Sequence, residues 1–162
     1  MAVRDDFTPG EILTASDLND TFASKTSVSA FGAWTNWTPS FSNWSIGNAT
    51  FKCTQMQIGR LVAIRFRIVM GSATTYSGSL VMTGMPAGVW TGSERQTASC
   101  AYQDTSLGNT YNGACELQGS NLKLYNAAAT ARSDVASTTP FSWASGDWLF
   151  GSMVYEAAAD PA

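Results

Sequence analysis

The hydrophobic pattern is clearest between Ala49 and Met70, ATFKCTQMQIGRLVAIRFRIVM. In the second half Val62, Ile64, Phe66, Ile68 and Met70 share one parity, while Arg65 and Arg67 take the other. Such period-two alternation predicts a strand with one face on a core. Between the halves, Gly59-Arg60 reads as a two-residue hairpin turn of type II′, where Gly adopts positive φ at no steric cost. The first half starts with Phe51 and Cys53 on one parity and passes to Met56 and Ile58 on the other. That change predicts a bulge, or burial on both sides.

The same alternation recurs downstream. Ala98, Cys100 and Tyr102 form one face of a predicted strand, and Cys115 and Leu117 point inward from another. Met85-Pro86-Ala87-Gly88 and Gln118-Gly119-Ser120-Asn121 read as turns. The stretch 127–139 reads as a long loop of small residues. In the last predicted strand, Trp148 to Glu156, Trp148, Phe150 and Val154 lie on one side, and Leu149, Met153 and Tyr155 on the other. Two apolar faces exceed what an antiparallel strand of a solitary sandwich needs. The expected cover is a neighbouring protomer, with Met56, Leu149, Met153 and Tyr155 as subunit-interface candidates. The strand carrying Met56 and the last strand are expected to share one sheet or flank one interface. About eight strands in all predict an all-β, antiparallel β-sandwich of jelly-roll type.

Residues 1–30 differ from residues 31–162, the predicted sandwich domain. Five of the twelve acids fall there: Asp5, Asp6, Glu11, Asp17 and Asp20. Thr14 and Asp17 resemble a capping box for a short helix over Ala15–Ala23. Leu18 and Phe22 stand at i, i+4 on it. A helix of this length is marginal in water and must dock on something. Leu13, Leu18 and Phe22 are therefore the partner-docking candidates of an attachment arm.

Composition narrows the functional classes. The chain has 162 residues, 44% of them hydrophobic, enough for one domain with a sizeable core. Only 13% are charged, about half the usual share of roughly 25%. A net charge of −3 and a pI near 4.7 offer no footprint for nucleic acid or an anionic membrane. No stretch approaches the roughly 20 apolar residues of a membrane helix. The N-terminus lacks a signal peptide's apolar run. The four N-x-S/T sequons, at Asn19, Asn36, Asn43 and Asn48, therefore read as chance products of an Asn- and Ser/Thr-rich chain.

Candidate chemistry is sparse. The chain has no His, which excludes Ser-His-Asp and Cys-His catalysis and His-based metal sites. Cys53, Cys100 and Cys115 are widely spaced and read as small buried thiols. Neither cofactor nor metal is expected. Among the carboxylates of the β-region are Glu94, Asp104, Glu116, Asp134, Asp147 and Glu156. They read as exposed by default, Glu116 through its parity opposite Cys115 and Asp147 as a turn residue. No enzymatic activity is expected. For Trp34, Trp37, Trp143 and Trp148, core packing is the expected role. Trp44, Tyr76, Trp90 and Tyr111 lie in or beside turns and are the candidate glycan contacts, since an aromatic ring offers an apolar face with a wet edge.

Three phrases carry a resemblance. Phe7-Thr-Pro-Gly-Glu-Ile-Leu-Thr-Ala-Ser-Asp-Leu-Asn19 resembles the opening of tailed-bacteriophage tail fibre and minor tail proteins. Trp34 to Met70 resembles a β-domain of the same proteins in actinobacterial phages: a Trp-rich start, a Gly-Asn turn, then Gln-x-Gly-Arg before a Val/Ile-rich strand. Pro140-Phe-Ser-Trp-Ala-Ser-Gly-Asp-Trp-Leu and Tyr155-Glu156 are similar to the close of those domains. The resemblance implies a homotrimeric β-sandwich on a virion, assembled in a host cytoplasm and released by lysis, with residues 1–30 binding other virion proteins and host glycan as a further partner. It carries over no catalytic residue. Unlike typical fibres, the chain has no repeats, coiled coil or shaft, which also raises a capsid decoration protein or a stand-alone carbohydrate-binding module.

Overall fold

Ten antiparallel strands join into one sheet among the residues that the computed structural model describes, 32–89, 95–128 and 131–159. They are β1 (Thr35–Asn36), β2 (Ser40–Ser45), β3 (Thr50–Ile58), β4 (Leu61–Val69), β5 (Thr75–Thr83), β6 (Gln96–Asp104), β7 (Asn109–Gln118), β8 (Asn121–Asn126), β9 (Ser133–Asp134) and β10 (Trp148–Glu156). The spatial order is β1-β3-β4-β10-β6-β7-β8-β5-β2, with β9 beside β8. The expected helix over Ala15–Ala23, with Leu13, Leu18 and Phe22, lies outside the described residues, as does Trp90.

The β3–β4 hairpin has the turn its sequence predicts. Ile58 pairs with Leu61 across Gly59-Arg60, and Gly59 takes φ +53° while Arg60 stays at negative φ. The predicted bulge in β3 is absent. Its register against β4 is unbroken from Thr50↔Val69 to Ile58↔Leu61. The parity change instead turns Met56 and Ile58 to the outer face, leaving polar side chains at the inner positions. There Gln55 Nε2 donates to Thr35 Oγ1, and Gln57 Nε2 to the Gly59 carbonyl. The irregularity sits in β2, where the register shifts between Ser42 and Trp44. Asn43 there adopts φ 67°, a conformation Asn tolerates better than most residues.

The sheet curls into a half-barrel, bringing its β2 end against β3. Phe41 and Phe51 pack with ring centroids 6.0 Å apart, and Trp37 Nε1–H donates to the Gly84 carbonyl at 2.7 Å. The expected two-layer arrangement thus appears as one continuously hydrogen-bonded sheet. Inward positions of the long strands fill the interior: Ile64, Phe66 and Ile68 from β4, Leu149, Met153 and Tyr155 from β10, Tyr102 from β6, Leu122 and Leu124 from β8. Each such side chain contributes about 1.5–3 kcal/mol by leaving water. Leu149, Met153 and Tyr155 are therefore core residues, not the subunit-interface residues expected from the last strand. β10 lies between β4 and β6, so this parity is used up by its own fold. Met56 alone of that set faces outward. The expectation that β3 and β10 share one sheet holds: they flank β4, and Met56, Ala63 and Val154 lie in one row across it.

Candidate functional site

Alternation in β4 and β10 builds the outer face of the half-barrel. Ala63, Arg65 and Arg67 project from β4, and Phe150, Ser152 and Val154 from β10. The registers set them in rows: Met56–Ala63–Val154, Thr54–Arg65–Ser152 and Lys52–Arg67–Phe150. The rows grade from apolar at the hairpin end to basic at the other. Trp34, Ile58, Leu61 and Val154, four of the five exposed large hydrophobic side chains among the described residues, belong to this face.

Two guanidinium groups on the face are held by aromatic rings. Arg65 lies 3.9 Å from the ring centroid of Trp34, and Arg67 4.7 Å from that of Trp148. Such stacking fixes a charge without consuming its hydrogen-bond donors. Among the described residues Arg65, Arg67 and Lys52 form no ion pair. Arg67 Nε is buried with no hydrogen-bond partner among them. The other arginines of the described residues are engaged: Arg60 with Glu156, Arg95 and Arg132 with Glu116.

A groove follows the seam between β10 and β6. Their pairing runs from Trp148↔Gln103 to Gly151↔Cys100 and stops there. At the far end a side chain replaces the ladder, with Glu156 N–H donating to Gln96 Oε1 at 2.6 Å. Over the seam lies a depression of about 470 Å³, bounded by Arg65, Ser99, Ala101, Asn112, Phe150 and Ser152. A second, of about 330 Å³, lies on the other side of Arg65 against Trp34, Ala63, Ala98 and Val154. Both fall within the usual size of small-ligand sites, roughly 300–1,000 Å³. No family model, no curated protein and no solved structure matches this chain.

The sequence-chosen aromatics lie elsewhere. Trp44 is buried, donates from Nε1–H to the Gly78 carbonyl, and packs edge-on against Tyr76 and Trp143. It is a core residue and not an exposed glycan contact. Tyr76 packs against it, and Tyr111 packs on Phe141 at 5.1 Å. These three serve the interior. Trp37 and Trp143 are buried as expected, whereas Trp34 and Trp148 stand on the outer face. One available signal was the shared parity of Arg65 with Arg67, and of Trp148 with Phe150.

The carboxylates also depart from expectation. Asp104 and Asp147 are buried. Asp147 accepts from Ala144 N–H, the local bonding expected of a turn Asp, but also from Thr105 N–H and Thr105 Oγ1, 42 residues away in sequence. The Ser106 hydroxyl, ahead of the Leu107 and Ser106 N–H groups, holds the Asp104 carboxyl below its usual range. Glu116 is not solvated: its side chain is 7% exposed and clamped by Arg95 and Arg132. On the outer face it meets two arginines and Gln118 instead of water. All three cysteines are buried free thiols. No group of three or more Cys, Asp or Glu among the described residues is placed to hold a metal ion.

Glu116 gives a pH-dependent test. Burial alone would push its carboxyl up, but the Gln118 hydrogen bond and the Arg132 and Arg95 charges outweigh it and hold the carboxyl below the ordinary value of 4.5. A folded pKa below the unfolded one adds stability above that ordinary value, and the gain is lost as pH falls through the folded pKa. Glu116→Gln will flatten the loss of stability below pH 4.5. Urea midpoints measured against pH check this, and parallel curves for the two proteins would refute it.

Proposed function

We propose that the chain is a structural protein of a tailed-bacteriophage virion, a small surface appendage of tail-fibre or minor-tail type. The three resembling phrases support this reading, together with an antiparallel β-fold that uses few charged residues. In it, residues 1–30 are a helical attachment arm to other virion proteins, and the remainder is a jelly-roll-like β-sandwich projecting outward. The protein performs no catalysis. It assembles in the host cytoplasm and leaves by lysis.

Self-association into a trimer is the second part of the reading. The observation that carries it is the gathering of Ile58, Leu61 and Val154, all exposed, with Met56 at the hairpin end of the outer face. Apolar surface grouped in this way marks an interaction site. The contact is assigned to copies of this chain, with the exposed Arg60–Glu156 pair at its rim.

Deletion of residues 1–25 tests the arm. The β-region will stay folded by circular dichroism while the protein is lost from purified particles; retention on particles would refute the role. Binding to isolated heads instead of tails would replace the appendage by a capsid decoration protein. A stand-alone carbohydrate-binding module is the second reading, favoured by the groove along β10 and β6.

A further inference from the structure

We propose that the groove over the β10–β6 seam binds an acidic polysaccharide, one whose sugar rings carry carboxylates, with Arg65 as the principal anion ligand. The inference deepens the carbohydrate-binding reading above; the larger depression lies past Arg65 from the proposed subunit contact, and the smaller one adjoins that contact at Ala63 and Val154.

The groove offers a separate partner for each part of such a ligand. Small residues contribute much of its lining, Ala101, Gly151 and Ser152 in the larger depression and Ala63 and Ala98 in the smaller. Short side chains at these positions leave room for a flat ring in the groove. Phe150 and Trp34 stand at its walls as apolar surfaces for the C–H face of a pyranose. Ser99, Ser152 and Asn112 supply neutral donors and acceptors matched to hydroxyls.

The guanidinium groups decide the charge of the ligand. In an acidic chain, the sheet places Lys52, Arg65 and Arg67 in adjacent rows with no carboxylate between them. The arginines elsewhere in the described residues each meet a glutamate. Stacking of Arg65 on Trp34 leaves its planar fork oriented and available, the geometry that takes a carboxylate in bidentate fashion. Arg67 and Lys52 lie in the next row, outside both depressions, and add positive charge beside them. Three cations are too few for a nucleic-acid track, whose affinity rests on neutralising many phosphates.

Titration calorimetry on the intact chain tests the site with polygalacturonate, alginate and hyaluronan, alongside methyl-esterified polygalacturonate, dextran and an oligothymidylate. Binding is expected to at least one carboxylated polymer and to weaken as salt rises. Esterification, or Arg65→Gln, will weaken it by about tenfold, the scale of one charge-assisted bidentate contact. Arg65→Lys will fall between, and Lys123→Gln, outside the groove, will leave it unchanged. Near-ultraviolet circular dichroism confirms that the Arg65 variants remain folded. Silence toward all three acidic polymers, equal binding of the ester or dextran, or preferred binding of the oligonucleotide would each overturn the proposal. None of these results alters the oligomeric state or particle incorporation, so the virion reading stands or falls separately.

Discussion

Met153→Glu will unfold the β-region, whereas Val154→Glu, one position further along β10, will leave it folded. Met153 is 2% exposed and lies opposite Ile64 inside the half-barrel; Val154 is 56% exposed and lies opposite Ala63 on the outside. A glutamate at 153 must either bury a charge without a partner or bind a proton at the cost of a raised pKa. With the lost packing, the expected cost is about 4 kcal/mol or more, a large part of the roughly 5–15 kcal/mol that stabilises a domain. At 154 the carboxylate of the separated chain stays in water, so the chain still folds, and any fall in melting temperature is limited to the lost contact between copies. Thermal unfolding followed by circular dichroism separates the two. A folded Met153→Glu protein would mean that this parity of β10 does not face the core.

Gly113→Ala will cost about 3 kcal/mol, a large effect for one methyl group. The added Cβ would enter the ring of Tyr102, which lies directly over Gly113. Tyr102 has nowhere to go. It is fully buried, its hydroxyl is 3.0 Å from Cys100 Sγ and donates to the Tyr125 carbonyl at 3.1 Å, and its ring packs edge-on against Trp143. The clash therefore falls on a ring pinned by hydrogen bonds and not on a flexible side-chain end. Tyr102→Ala alone will also destabilise, through the cavity it leaves. In the double variant the new methyl occupies that space, so the combined loss will be smaller than the sum of the single losses. Urea denaturation of the three variants gives the coupling; strict additivity would refute the contact.

Much of the fold was legible because period two was written plainly in β4 and in the turn chemistry around it. Val62, Ile64, Phe66 and Ile68 announced the inner face, and Gly59-Arg60 the hairpin. The last strand lies where its sequence predicts, but the face expected at a subunit interface is the core face. With apolar residues on both parities, periodicity alone does not say which side meets the core. The register does: Leu149 sits opposite Ile68, and Met153 opposite Ile64, so they share the buried face. In β3, Met56 and Ile58 break the pattern without a bulge, because Gln55 and Gln57 take the inner positions opposite the buried Ile64 and Val62.

The candidate site was legible only in fragments. Arg65 and Arg67 could be placed on the outer face from sequence, but not the aromatic rings beside them. Trp34 precedes β1, which is bound to the far side of β3, and Trp148 reaches Arg67 only through the pairing of β10 with β4. Turn proximity selected Trp44, Tyr76 and Tyr111 instead, although a curled sheet folds such positions inward. Glu116 was misjudged for a related reason. Its outward parity is real, yet two arginines from beyond the ends of β6 and β8 cover it.

The central claim is that the hairpin end of the outer face, with Met56, Ile58, Leu61 and Val154, is an assembly surface. Light scattering coupled to size exclusion, on the intact chain and on Val154→Glu, tests it most directly. The intact protein is expected at three times the chain mass of 17.2 kDa and the folded variant at a single chain mass. A monomer for the intact chain, or a trimer unchanged by a glutamate at 154, would contradict it.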